Sequence, residues 1–288
     1  MKLAKSLDLS LEGIEIVNLR HPSEQERRER YARILTEKRQ REGYTFQEAN
    51  DKMFERNYFG MMMVETGEAD AFITGLYTKY SNTIKVVNEV IGIRPEYQHF
   101  GAMHIINSPK GTYYIADTLV NENPDSDTLV DIAKLASTAV RFFNEKPVIG
   151  MMSHSNFGSS QSAGARKVKR AVEQMQEMYP DLPIDGEMQL DCALDNELRD
   201  EQYPFTRLKD KKVNTLIFPN LTSARSSYKM LQMLDADVEI IGPIQMGLNK
   251  AIHFIDFGAS VRDVVNIVAV ATIDAYVDKV KSRINAQK

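Results

Sequence analysis

Short apolar runs alternate with longer stretches of helical period along most of this chain, and that alternation is the sequence form of a parallel sheet covered by helices. The pattern predicts strands over 13–18, 69–76, 148–152, 214–218 and 238–242. Helices are predicted over 23–42, 126–143, 163–179, 226–234 and 261–286. Thr45 stands three residues before Glu48, the capping-box spacing, so a further helix starts there. Segments 101–106 and 112–115 flank the turn Ser108-Pro109-Lys110-Gly111 and read as paired strands, while 85–90 fits either a strand or a helix. The expected class is α/β.

No segment repeats at a fixed period and no linker is long or rich in Gly and Ser, so any two domains are tightly joined. A length of 288 residues suits one large or two ordinary domains, with switches near Arg94-Pro95 and near Leu248. At 43% hydrophobic and 26% charged residues the chain can bury a core, which excludes fibrous and low-complexity classes. With 36 basic against 40 acidic side chains the net charge is −4, which argues against a dedicated nucleic-acid binder. The most apolar stretch, 264–273, falls short of the roughly 18 residues a membrane span needs, so no membrane insertion is expected. Cys192 has no second cysteine to pair with and the N-terminus has no apolar leader, so a cytoplasmic location is expected.

Three segments stand out as chemistry. Ser153-His154-Ser155-Asn156-Phe157-Gly158-Ser159-Ser160 lies between a predicted strand and a predicted helix. Small residues there free backbone N–H groups to face an anion at a helix start, although the same loop also reads as an ordinary connection with serine capping. Asp185-Gly186-Glu187-Met188-Gln189-Leu190-Asp191 holds three carboxylates without EF-hand spacing. Glu187, Gln189 and Asp191 would share one strand face, and a hydrogen-bonded face is favoured over a metal site. Before the last helix, Ser260 and Asp263 have capping-box spacing, which makes Asp263 either a first-turn cap or a general base. The five histidines lack zinc spacing, and no metal is expected in this chain. The basic residues of 23–42 are interleaved with glutamates, as on a solvated helix face.

Several of these segments together resemble the phosphotransacetylase family, and most closely the phosphotransacetylase-like domain at the C-terminus of bacterial NADP-dependent malic enzymes. The resemblance is carried by Asn57-Tyr58-Phe59-Gly60, by 116–124 (Ala-Asp-Thr-Leu-Val-Asn-Glu-Asn-Pro) and by 155–160. It continues through 185–189, Tyr203-Pro204-Phe205, 216–221, Ile241-Gly242-Pro243-Ile244 and 261–266. It implies two three-layer α/β domains of the isocitrate/isopropylmalate-dehydrogenase type around a cleft. Domain I would be 1–95 plus 249–288, and domain II 96–248. The family domain usually begins with a further strand and helix, so the resemblance implies a chain lacking the first strand of its own sheet and a separate malic-enzyme domain.

In the family an Asp in the first turn of the last helix takes the proton from the CoA thiol, while arginines and a serine hold the acyl phosphate. The resemblance places that base at Asp263 and one arginine at Arg39. The family's Ser-Arg pair before the last helix is Asp256-Phe257 here, and another arginine becomes Lys85. Phe removes a planar phosphate clamp, Asp puts negative charge where an anion should sit, and Lys keeps charge without the fork. Arg225, where relatives more often carry a small residue or Asn, either returns a positive charge or is an exposed helix-start residue. The expected phosphate and ligand contacts are Arg39, Lys85, Ser155, Ser159, Ser160 and Arg225.

The resemblance therefore implies a regulatory domain that binds CoA or acetyl-CoA, with little or no transferase activity. It would need no cofactor of its own, would form a homo-oligomer and would act on a malic-enzyme domain that carries the NADP and divalent-metal sites. The alternatives are an active phosphate acetyl/butyryltransferase and a pure oligomerisation module.

Overall fold

The computed structural model describes residues 2–76 and 79–286. Contacts gather the chain into two compact units, divided between Met63 and Val64.

The N-terminal unit is helical. It contains α1 (Lys2–Ser6), α2 (Gln25–Arg39) and α3 (Phe46–Lys52), and α4 (Arg56–Glu65) begins in it. Thr45 and Glu48 close the expected capping box: the Thr45 Oγ1 accepts the Glu48 N–H, and the Glu48 carboxylate accepts the Thr45 N–H at 3.0 Å. Tyr31 of α2 meets the Phe59 ring edge-on at 5.3 Å. Segment 13–18, expected as a strand, has no ladder among the described residues, and Ile14 and Ile16 are exposed. Apolar alternation alone makes no strand without a partner edge to pair with.

The second unit continues with β1 (Ala71–Thr74), α5 (Tyr80–Val90), β2 (Gly101–Ser108), β3 (Gly111–Ala116), α6 (Ser126–Phe142) and β4 (Ile149–Met152). There follow α7 (Ala163–Met178), β5 (Ile184–Met188), α8 (Leu190–Leu194), α9 (Asn196–Gln202) and β6 (Thr215–Ile217). The last elements are α10 (Leu221–Leu234), β7 (Glu239–Met246), β8 (Ala251–Phe254) and α11 (Val261–Ala286).

The architecture is mixed α/β with two sheets. Six strands run in the order β5-β4-β6-β3-β2-β7, and β1 pairs with β8 in a small parallel sheet. In the larger sheet β5, β4, β6 and β3 are parallel, and β2 is antiparallel to both β3 and β7. Adjacent strand residues go to opposite cores. Ile105, Ala116, Met151 and Ile217 pack with α6 and α7, while Ile106, Ile115, Met152 and Leu216 pack with the α8 and α10 side. Burial on both faces is why these strands read as continuous apolar runs.

The chain passes between the sheets twice, after α5 and between β7 and β8, and the two passages are tied together. Ile93 bridges Leu248, the Arg94 N–H donates to Gly247 O at 2.9 Å, and the Asn249 N–H donates to Gly92 O at 3.2 Å.

The ambiguous 85–90 is the second half of α5, which buries Thr83, Val86, Val87 and Val90 at helical spacing. Helix α10 begins five residues before the expected 226, because the Asn220 side chain caps it by accepting the Ser223 N–H. Strand β7 runs through Pro243 to Met246. It is the edge of the large sheet, where a missing N–H costs no ladder bond on its open side. Strand β5 ends at Met188 and α8 starts at Leu190, so Glu187, Gln189 and Asp191 do not share one strand face.

Candidate functional site

Three structural pieces of the second unit surround a cavity of about 350 Å³. Helix α10 contributes Arg225, Tyr228, Lys229 and Gln232, spaced i, i+3, i+4 and i+7, which puts them on one helical face. Strands β2 and β7 contribute His104, Ile240 and Gly242. The loop after β8 and the first turn of α11 contribute Asp256, Phe257, Gly258, Ala259 and Asp263.

His104 is 4% exposed and stacks on Tyr228 with ring centroids 4.2 Å apart. Its partner strand approaches so closely that a Cβ on Gly242 would lie 2.8 Å from His104 Cδ2. With a φ of +143° as well, this position admits only glycine. His104 Nδ1 lies 2.8 Å from Thr118 Oγ1, whose own proton goes to Ala102 O at 3.2 Å. The hydroxyl therefore accepts from Nδ1–H, and Nε2 keeps its lone pair. Burial first, and then the positive charges of Lys229 and Arg225, hold the imidazole down to about 3, so it is neutral at physiological pH. Burial likewise pushes the Tyr228 hydroxyl up, with Asp256 adding to the shift and Arg225 opposing it. Tyr80 at the start of α5 is also pushed up, by burial and then by Asp117 and Asp256, with Arg225 opposing.

The charges on the cavity wall balance. Lys229 Nζ stands 4.0 Å from Asp256 Oδ2. Asp263 Oδ2 accepts from the Ser260 N–H at 2.8 Å and from its hydroxyl at 2.9 Å, and the Asp263 N–H returns a bond to Ser260 Oγ at 3.2 Å. This is the expected capping box with Asp in place of Glu, so the carboxylate that faces the cavity also holds the start of α11. Phe257 stands 88% exposed on the rim, an apolar ring where the resemblance calls for a guanidinium. The arrangement offers an anion two cations on α10, opposed by Asp256 of the loop after β8 and Asp263 in the first turn of α11.

Residues 1–272 match the family described as phosphate acetyl/butaryl transferase. The chain belongs to that family. It is 40% identical over 236 residues to an NADP-dependent malic enzyme of Salmonella typhimurium, covering 82% of this chain and 31% of that protein. The chain thus spans about a third of the malic enzymes it matches. It is 33% identical to a phosphate acetyltransferase of Acetivibrio thermocellus, over 95% of this chain and 84% of that one. A phosphotransacetylase structure from Streptococcus pyogenes superposes with a TM-score of 0.82 at 28% identity, covering 96% of this chain and 82% of that one.

Of the other residues picked out by resemblance to the phosphate acetyl/butaryl transferases, Lys85 and the three serines do not line this cavity. Lys85 is mostly exposed on α5, 3.8 Å from Glu89. Arg39 ends α2 in the N-terminal unit, where it ion-pairs with Glu42. The serines lie in the loop from β4 to α7. Ser155 Oγ donates to Glu187 Oε1 at 3.4 Å, Ser159 Oγ accepts the Asn156 N–H, and Ser160 Oγ accepts the Ser162 N–H and contacts His154 Nε2. The Gly158 N–H donates to Glu187 Oε1 at 2.7 Å and the Phe157 N–H to Glu187 O at 2.8 Å. The Ser155 hydroxyl and the Gly158 N–H thus turn inward onto the buried Glu187 carboxylate.

Among the described residues no group of three His, Cys, Asp or Glu side chains is arranged to hold a metal. No described helix is long and apolar enough to cross a membrane. Sequence reasoning missed His104, Tyr228 and Lys229. The last two follow from Arg225 by helical spacing once α10 starts at Leu221, whereas His104 reaches the cavity only through the pairing of β2 with β7.

Proposed function

We propose that this is a regulatory phosphotransacetylase-like domain that binds CoA or acetyl-CoA at the α10 cavity and transfers the acetyl group very slowly or not at all. One observation carries the reading: Asp256 and Phe257 line the cavity beside Asp263, in the place where the resemblance calls for Ser and Arg. Arg225 and Lys229 receive the ligand's phosphates. Asp256 repels an acyl phosphate at the reacting end, so the thioester is held without a phosphoryl partner. In the longer protein, occupancy would bias two states of a malate-decarboxylating domain that carries the NADP and divalent-metal sites. The domain would act in the cytoplasm as part of a homo-oligomer. Retention of Asp263 supports a second reading, an active transferase in which Arg225 stands in for a lost arginine.

Calorimetric titration with CoA and acetyl-CoA tests the binding. The wild-type chain is expected to bind, and Arg225→Glu/Lys229→Glu is expected to weaken affinity at least about tenfold. No heat of binding to a folded wild-type chain, or equal affinity in the charge-reversed variant, contradicts the proposal.

A further inference from the structure

A buried acceptor, an exposed aromatic ring and two cations meet at the α10 cavity, which His104, Phe257, Arg225 and Lys229 all line.

The acceptor is His104 Nε2. With its proton on Nδ1 and donated to Thr118 Oγ1 at 2.8 Å, the imidazole keeps a lone pair on Nε2. Nε2 has no hydrogen-bond partner among the described residues and is not one of their fully buried unpartnered atoms, so it opens onto the space that His104 lines. Burial first, and then Lys229 and Arg225, keep the ring neutral, so it accepts a hydrogen bond without taking the proton. A buried acceptor of this kind calls for a donor on the ligand.

The aromatic ring is Phe257, 88% exposed on the rim, a face on which a nucleobase stacks. The cations, Arg225 and Lys229, stand one turn apart on α10 and suit a phosphate. Against them stand Asp256, 4.0 Å from Lys229, and Asp263, which accepts from Ser260. Two carboxylates against two cations leave this wall near neutral, which suits one phosphate better than a chain of them. An aspartate is also a ready acceptor for sugar hydroxyls.

A nucleotide supplies all of these partners at once: an amino donor, a flat base, sugar hydroxyls and a phosphate. Adenine fits the acceptor best, because its amino group is its only donor and its fused rings give a wide stacking face. Guanine adds a ring N–H and a carbonyl, and cytosine offers a single ring. A volume of about 350 Å³ lies within the range of small-molecule sites.

We infer that the α10 cavity binds a free adenine mononucleotide, with the amino group of the base on His104 Nε2, the base against Phe257 and the phosphate on Arg225 and Lys229. Adenine and phosphate also form the nucleotide end of CoA, so AMP and CoA compete for the cavity where both bind.

Calorimetric titration of the full chain with AMP and with purine riboside 5′-monophosphate, which lacks only the amino group, tests it. AMP is expected to bind with a Kd of roughly 0.1 mM, and the analogue at least about tenfold more weakly. In His104→Phe, which keeps a ring against Tyr228 but no acceptor, the advantage of AMP over the analogue is expected to vanish. Phe257→Ala is expected to weaken both ligands about tenfold. Should His104→Phe fail to fold by circular dichroism, the wild-type preference and Phe257→Ala decide. The inference is overturned by no saturable AMP binding, by equal wild-type affinities for the two ligands, by a preference that survives in folded His104→Phe, or by unchanged binding in Phe257→Ala. A chain that fails in any of these ways but binds CoA leaves the regulatory reading standing. A chain that binds AMP with the expected preference but not CoA supports the inference and overturns the CoA reading instead.

Discussion

Asp117→Ala is expected to destabilise the chain by at least about 4 kcal/mol, enough to unfold much of it at 37 °C. Asp117 is buried at the end of β3, and its carboxylate accepts backbone N–H groups from Ala102 at 3.0 Å, Leu119 at 2.9 Å, Val120 at 3.2 Å and Asn121 at 2.7 Å. It also accepts from Asn121 Nδ2 at 2.7 Å. Removing it takes the acceptor from four backbone N–H groups at once, and each buried donor left unsatisfied carries a desolvation penalty of about 1–3 kcal/mol. The same loop places Thr118 against His104, so the cavity wall is lost with the fold. Asp117→Asn keeps the shape but turns an NH₂ toward N–H donors, and about half of the loss is expected. Urea midpoints by circular dichroism measure both. A loss below about 1 kcal/mol in Asp117→Ala contradicts this account of the loop.

The second large effect is on the acid side. His104 titrates near 3 in the folded chain against 6.5 for a free imidazole. Between these values the unfolded chain takes up a proton that the folded chain refuses. The stability contributed by burying neutral His104 is therefore complete above pH 6.5 and is lost as the pH falls toward 3. At pH 5 the loss amounts to about 2 kcal/mol relative to pH 7. In His104→Asn, which keeps a donor for Thr118, the fall in stability from pH 7 to pH 5 is expected to be shallower by that amount. Parallel pH profiles for wild type and variant contradict the assignment of a neutral buried imidazole.

The larger sheet was legible because its strands are apolar on both faces, as 149–152 and 215–217 are, and because helices α6 and α7 carry amphipathic periods. Strand β8 was not, since four residues that include His253 give too little alternation to separate strand from loop. The false strand at 13–18 shows the converse error, apolar alternation with no edge to pair with. Within the site, the loop 256–263 was visible as a capping motif, and the resemblance supplied its significance. The wall formed by His104, Tyr228 and Gly242 depends on which strands are neighbours, and local pattern does not encode that. The Ser/Gly loop at 153–160 looked open to an anion because sequence does not show that Glu187 would take the Gly158 N–H.

The central proposal is that the cavity binds CoA through Arg225 and Lys229 and has lost its transfer chemistry at Asp256 and Phe257. Its most direct test is acetyl-CoA formation from acetyl phosphate and CoA, measured for the wild-type chain, Asp256→Ser/Phe257→Arg and Asp263→Asn beside an active phosphotransacetylase. The account predicts background turnover for folded, CoA-binding wild type and a rise of roughly a hundredfold or more in the double variant. Clear wild-type turnover that disappears in Asp263→Asn would contradict it and make the chain a working transferase.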